Sequence, residues 1–342
     1  MAANNYKFLH IDVDRQDHVL REMKQTPDGP MLGPDKPLIC GGYYNWHRVF
    51  DGDFKLYDEV KGKIADYDIV FAGLTTWDLK AGLATKIRQE IEGTKTSLIV
   101  HTDYAVESWA GAYTPQLLRS ELLQADYIFA ADESSVSYLR ALVDDQVPIN
   151  FLQHPTDVEK YKKFTIAPAA RDNDIVALLH MYDRNWLPVH LIGEHLPWPI
   201  YLVAPNNVLR DLASQIRPYF PRLMPGGDDF NRYISFVARR KVALDTYHHV
   251  HSYGRFAVDN ACIKLPTVGT DIVWSQKFLW PDLTTQTGDV FAQRELIKRL
   301  FADQEFYDHC TAYALDKVQT LSYENRKTAL LELINAENKV HA

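Results

Sequence analysis

The sequence predicts the α/β class, with two consecutive halves that each carry a parallel β-sheet covered by helices. Three observations lead there. Short apolar runs alternate with segments of helical periodicity from Tyr6 to Pro155. A charged stretch, residues 156–174 (TDVEKYKKFTIAPAARDND), interrupts the alternation as a linker would. The alternation then restarts at Ile175 and runs to the helical C-terminus. The pattern predicts two Rossmann-like domains facing across a cleft, residues 1–165 and 166–322. The last helix, 323–342, is expected to pack back on the first.

The elements follow in order. Tyr6 to Val13 reads as the first strand. Residues 14–50, rich in Pro and Gly, read as a long flap whose aromatic tip holds Tyr43, Tyr44 and Trp46. A helix is expected around 55–65, then a strand at 68–72, a helix at 79–92 and a strand at 96–100. Thr114-Pro115 has the form of an N-cap followed by Pro at the first helical position. A strand at 127–130, a helix capped by Asp132 and a strand at 149–152 complete the first half. In the second, strands are expected at 175–179, 200–203, 242–244 and 267–269. Helices are expected at 186–195, along Val208–Ile216 by its apolar spacing, after Asp228 or Asp229, and from Gly254. Three helices close the chain at 292–302, 304–319 and 323–337. In open parallel sheets, ligands gather beyond the carboxyl ends of the strands. His101, Asp103, His154, His180 and the 247–255 loop all fall at such ends.

Composition narrows the classes. The 342 residues are 46% hydrophobic and 24% charged, ordinary for a globular protein. A net charge of −8 argues against a broad non-specific grip on nucleic acid, though not against a local basic surface. The short basic runs, Lys162-Lys163 and Arg239-Arg240-Lys241, read as solvated. The three cysteines (Cys40, Cys262 and Cys310) show neither disulfide nor metal spacing, which suggests a reducing compartment. With no secretory signal and no run long enough to span a bilayer, the expectation is a cytoplasmic protein, in the host cytoplasm if phage-encoded. Aromatic residues make up 12%, many in loops where rings stack on sugars or bases.

The richest stretch is VALDTYHHVHSYGRFAVDNACIKLPTVGTD, residues 242–271. It reads as strand, glycine-bearing loop, helix and strand. Such a turn presents backbone N–H groups and a partial positive charge at the helix start, and Gly254 allows an anion close to the backbone. Ser252, Tyr253, Gly254 and Arg255 are the candidate phosphate ligands. His248, His249 and His251 could suggest a metal, but no carboxylate or cysteine stands at ligand spacing, so no metal is assigned. Asp12-Val13-Asp14 matches a metal-binding D-x-D, but it ends the first strand rather than following several, and it too is set aside.

In this stretch the chain resembles the retaining, family-4-like glycosyltransferases of the GT-B fold. Gly254, Asp259, Pro266 and Thr270 fall in register with that family's E-G-F-G-x-x-x-x-E-A-x-A-x-G-x-P-V-x-x-T. His251 stands where the family has its first glutamate, and Asp259 where it has the second. Ala125-Asp126-Tyr127-Ile128 resembles the family's A-D-x-[IV], and Asp157-Val158-Glu159-Lys160-Tyr161 its D-x-x-x-F. The resemblance implies a nucleoside-diphosphate sugar donor, most naturally UDP-linked, held by the second domain, with the acceptor on the first. It implies ribose contacts for Asp259 and diphosphate contacts for Arg184 and His180. The family's Arg and Lys, five positions apart, have here become His180 and Asn185, with Arg184 adjacent.

His101-Thr102-Asp103 resembles the family's His-Asp at a strand end and its context in phage DNA glucosyltransferases. Asp103, His101 and His251 are thus the candidate catalytic residues. Trp46, His154 and Trp109 are the candidate acceptor contacts, with Trp77 a further ring. No cofactor beyond the donor is implied. The acceptor stays open between a hydroxymethylated pyrimidine in DNA and a glycan, lipid or small molecule. A different class, a non-catalytic sugar-nucleotide-binding protein, fits the substituted glutamate and Arg/Lys pair.

Overall fold

The computed structural model describes residues 6–12, 45–74, 80–102, 114–179, 186–204, 220, 223–225, 230–247 and 253–340. The chain forms two compact units. One runs to Thr156 and is rejoined from Leu321 onward, and the other extends from Asp157 to Thr320.

The first unit opens with β1 (Phe8–Asp12) and α1 (Trp46–Val49), then β2 (Asp53–Leu56) and α2 (Tyr57–Val60). β3 (Ile69–Gly73), α3 (Leu83–Ile91), β4 (Ser97–Thr102) and α4 (Pro115–Leu122) follow. β5 (Tyr127–Ala130), α5 (Ser135–Val143) and β6 (Ile149–Phe151) complete the sheet. Its order is β2-β1-β3-β4-β5-β6, and every paired neighbour is parallel. Alternation along each strand sorts the side chains onto two faces. Leu9, Ile11, Val70, Ala72, Leu98 and Val100 enter one core with Leu83 and Ile87 of α3 and Leu118 and Leu122 of α4. Phe8, His10, Phe71 and His101 occupy the alternate positions.

Two helix starts in this unit are met by side chains. Thr114 Oγ1 accepts from Leu117 N–H at 3.2 Å, as the Thr-Pro pair predicts. Glu121, 2% exposed, reaches across from α4 to accept from Ala84 N–H (2.9 Å) and Thr85 Oγ1 (2.5 Å) at the start of α3. Asp132, expected as a cap, instead takes Ser134 and Ser135 hydroxyls on its carboxylate. The helix expected around 55–65 is replaced by β2, the one-turn helix α2 and a 3₁₀ turn at Ile64–Asp66.

The second unit begins with α6 (Val158–Tyr161) inside the stretch expected to be linker. β7 (Asp172–Leu178), α7 (Trp186–Gly193), β8 (Ile200–Ala204) and β9 (Leu223–Pro225) come next. Then follow α8 (Phe230–Ala238), β10 (Arg240–Asp245), α9 (Arg255–Cys262) and β11 (Thr267–Thr270). α10 (Trp274–Leu279), β12 (Thr284–Thr285), α11 (Val290–Ala302) and α12 (Gln304–Val318) end the unit. The order is β12-β11-β10-β7-β8-β9, again parallel throughout. Read in chain order this is the doubly wound 3-2-1-4-5-6 arrangement, with its reversal between β7 and β10.

Two arginines tie this sheet together. Arg240, expected to be solvated, is 7% exposed. Its guanidinium lies 4.3 Å from the ring centroids of both Tyr201 and Phe236 and bonds Asp174 (2.7 Å) and Asp172 (3.2 Å). Arg171 donates to the carbonyls of Ile166, Arg240 and Ile263, which fixes the incoming chain to β10 and to the end of α9.

The last helix, α13 (Tyr323–Val340), belongs to the first unit and packs against α1. Thr156 N–H donates to Leu321 carbonyl at 2.8 Å, and Thr156 bridges Ser322 in parallel. Residues 208–216 and the caps at 228–229 lie outside the described residues.

Candidate functional site

In doubly wound sheets ligands gather beyond the carboxyl ends of the strands that flank the reversal, here β7 and β10. β10 ends at Asp245, with no exposed surface, and Thr246 and Tyr247 follow, both buried. His180 and Arg184 after β7, and His251 and Ser252 before α9, fall at this end in sequence but lie outside the described residues.

The chain re-enters at Tyr253 and Gly254. Gly254 sits in the left-handed region (φ 81°, ψ 69°) as the residue before α9. A Cβ there would stand 2.1 Å from Val273 Cγ1 and 2.6 Å from Ser275 Oγ. Glycine is thus required twice, by conformation and by space. Ser275 fastens the turn, its N–H donating to Tyr253 carbonyl (3.0 Å) and its hydroxyl to Gly254 carbonyl (2.5 Å). The Tyr253 ring stacks on Trp274 at 5.7 Å.

Gly254, the residue before α9, has no side chain with which to cap it, and the first turn contains no acid. Elsewhere the starts of α3, α4, α11 and α12 are met by Glu121, Thr114, Asp289 and Asp303. A helix start presents N–H groups and a partial positive charge, which suit an anion.

Behind the turn lies a buried polar triangle. Tyr161 Oη donates to Asp259 Oδ1 at 2.6 Å. Arg255 Nε donates to the same oxygen at 2.8 Å, and Arg255 Nη2 donates to Tyr161 Oη at 2.6 Å. Tyr161 is fully buried, Asp259 is 1% exposed and the Arg255 side chain 19%. Burial raises the Asp259 carboxyl above its ordinary range, and the Arg255 charge and Tyr161 hydroxyl pull it back. Burial works to lower the Arg255 pKa, but the Tyr161 and Asp259 oxygens hold it well above the usual value. Tyr233 of α8, 1% exposed, has its hydroxyl pKa raised by burial and then by the charge of Asp259.

This arrangement alters one expectation. Asp259, assigned by resemblance to ribose hydroxyls, is enclosed, with two donors already on one oxygen. Here its Oδ1 is shared by Arg255 and Tyr161. Tyr161, Tyr233 and Ser275 are the residues the sequence reading missed. Tyr161 had a signal, since a hydroxyl stands there where the resembling motif carries Phe.

In the first unit the structure gathers His101 and His154. Their ring centroids are 4.8 Å apart, both rings are buried, and His101 Nε2 lies 3.3 Å from Leu152 carbonyl. Phe71 packs between His101 (5.5 Å) and His10 (5.1 Å), and Trp46 lies 5.7 Å from Phe71. Trp46, expected at an exposed tip to stack an acceptor, has no exposed surface and is part of this layer. Its neighbour Asn45 donates to Pro155 carbonyl at 3.2 Å. Asp103, Trp77 and Trp109 lie outside the described residues. Among the described residues no three His, Cys, Asp or Glu side chains group to hold a metal, and no helix is long and apolar enough to cross a membrane.

No family model matches the sequence, and no curated protein matches it. Solved structures do match. HepE from Anabaena, in complex with UDP and glucose, superposes with a TM-score of 0.68 at 14% identity, over 96% of this chain and 99% of that one. An alpha-glucosyltransferase in complex with UDP and a 13-mer DNA containing an HMU base gives 0.67 at 10% identity, over 96% and 100%. Sucrose-phosphate synthase from Thermosynechococcus elongatus gives 0.63 at 16%, over 80% and 75%. These similar chains are glycosyltransferases of one architecture, two parallel α/β sheets, and this chain has that GT-B fold.

Proposed function

We propose that the chain is a glycosyltransferase taking its sugar from a nucleoside diphosphate, a uridine one, and passing it with retention to an acceptor hydroxyl. The observation that carries this reading is the left-handed Gly254 at the start of α9, which follows β10 beside the sheet reversal. That is where a diphosphate finds backbone N–H donors. The support from similar folds is that HepE is seen with UDP, with UDP and glucose, and with UDP-glucose.

In the proposed reaction the bond between the anomeric carbon and the diphosphate oxygen breaks. The acceptor oxygen bonds that carbon on the same face, and its proton passes to Asp103. Charge grows on the leaving diphosphate, where the α9 start, Arg255, Arg184 and His180 offset it. His251 faces the transferred sugar in this scheme, and the second unit holds the donor. For the acceptor we favour a hydroxymethylated pyrimidine in DNA, because the DNA-bound alpha-glucosyltransferase is matched along its whole length.

The test is turnover with UDP-, GDP- and ADP-sugars, followed by the mass of hydroxymethylated and plain duplex DNA. Release of UDP with a mass increase only on the modified duplex supports the full reading. UDP-sugar hydrolysis with no DNA product moves the acceptor to a glycan, lipid or small molecule. Binding without turnover indicates a sugar-nucleotide-binding protein, and no binding of any donor sinks the proposal.

A further inference from the structure

We infer that Tyr161 is a positioning residue of the donor site, which with Asp259 fixes the Arg255 guanidinium at the start of α9. The inference rests on the donor site proposed above and adds to it how its cation is held.

Arg255 is the first residue of α9, directly after the left-handed Gly254. A long side chain there, left to itself, samples many rotamers, and ordering it on a ligand costs entropy. Two contacts remove that freedom. Nε is bonded to Asp259 one turn along the same helix, and Nη2 to the hydroxyl of Tyr161, 94 residues away. Tyr161 is itself immobile, being fully buried, and its hydroxyl proton is committed to Asp259 Oδ1. The hydroxyl is therefore directional. It donates to the acid and can only accept from the arginine. Phenylalanine would fill the same space with neither bond.

The triangle also keeps the acid from opposing the ligand. A buried carboxylate near a phosphate would repel it, whereas Asp259 is matched by one cation and one neutral donor on the same oxygen. The Arg255 side chain as a whole retains 19% exposure.

The test compares UDP, 2′-deoxy-UDP and uridine on the full chain, with affinities from calorimetry or NMR titration. Tyr161→Phe is expected to weaken UDP and 2′-deoxy-UDP alike, by about tenfold each, and to leave uridine unchanged. With a UDP-sugar, KM should rise more than kcat falls. Unchanged UDP affinity overturns the inference. So does a parallel loss of uridine, which marks general loosening of the site, or a loss confined to UDP over 2′-deoxy-UDP, which marks a ribose contact instead. Should Tyr161→Phe fail to fold, Arg255→Lys keeps the charge but not the two-armed contact, and the same selective loss is expected. If the unaltered protein binds no nucleotide, it is the proposed function that fails.

Discussion

The hydroxyl of Ser275 lies 2.5 Å from the carbonyl oxygen of Gly254, and a methyl group on that glycine would come within 2.6 Å of the same hydroxyl. One serine therefore both braces the turn and forbids any larger residue in it. Gly254→Ala should destabilise the second unit by about 2–4 kcal/mol, from the left-handed backbone and the clash together. UDP affinity should fall with it. Because the nearer obstacle is Val273 Cγ1, adding Val273→Ala should recover part of the stability. Urea midpoints of the single and double variants measure both effects. Equal midpoints would show that the turn tolerates a side chain.

Arg240 gives a second expectation. Its guanidinium lies against both Tyr201 and Phe236, whose rings meet edge to face, while bonding Asp174, whose side chain is 14% exposed. Arg240→Ala leaves that carboxylate unmatched and should cost about 2–3 kcal/mol, a figure kept low because Asp172 is 43% exposed. Arg240→Lys should recover little, since an ammonium cannot stack on two rings and bond an acid at once. Chemical denaturation reports the difference.

At high pH the first unit should weaken. Tyr57 and Tyr67 are pushed up to about 12, by burial first and then by their hydrogen bonds to Glu90 and Asp53. Both phenols hold their protons more tightly folded than unfolded. The stability they contribute is complete below about pH 10 and is lost as pH rises toward 12. Absorbance near 295 nm should show late phenolate formation. Tyr57→Phe and Tyr67→Phe should each flatten the alkaline loss of stability.

Trp46 offers a test between core and contact. Fully buried against Phe71, it should cost about 3–5 kcal/mol as Trp46→Ala. Trp46→Phe should restore most of that, and the acceptor KM should stay near that of the unaltered protein. A raised KM in a stably folded Trp46→Phe would return the ring to the acceptor.

The sequence told the inner strands well and the outer ones poorly, for a physical reason. β3, β4 and β10 are buried along most of their length and β7 across Ile175, Val176 and Ala177, so they read as apolar runs. β2, β9 and β12, three of the four sheet edges, are two to four residues long, whereas the fourth, β6, was legible at its expected place. The DFKL of β2 is half exposed, and nothing in its composition separates it from a helix start. At the site, Gly254 and the α9 start were legible because glycine, periodicity and strand lie within one short stretch. The Tyr161–Asp259 bond was not, because 98 residues separate its ends and only the winding of the sheet joins them. The meeting of His101 and His154 depends in the same way on β4 and β6 flanking β5.

The Thr156–Leu321 hydrogen bond has a consequence for how the protein is made. Among the described residues the second unit is an insert in the first, which the chain leaves at Thr156 and re-enters at Leu321. On the ribosome, every residue of that insert is synthesised before the helix Tyr323–Val340 that packs against α1. The unit begun first is therefore the unit finished last. Until its closing helix arrives, the surface of α1 beside Trp46 waits without its cover.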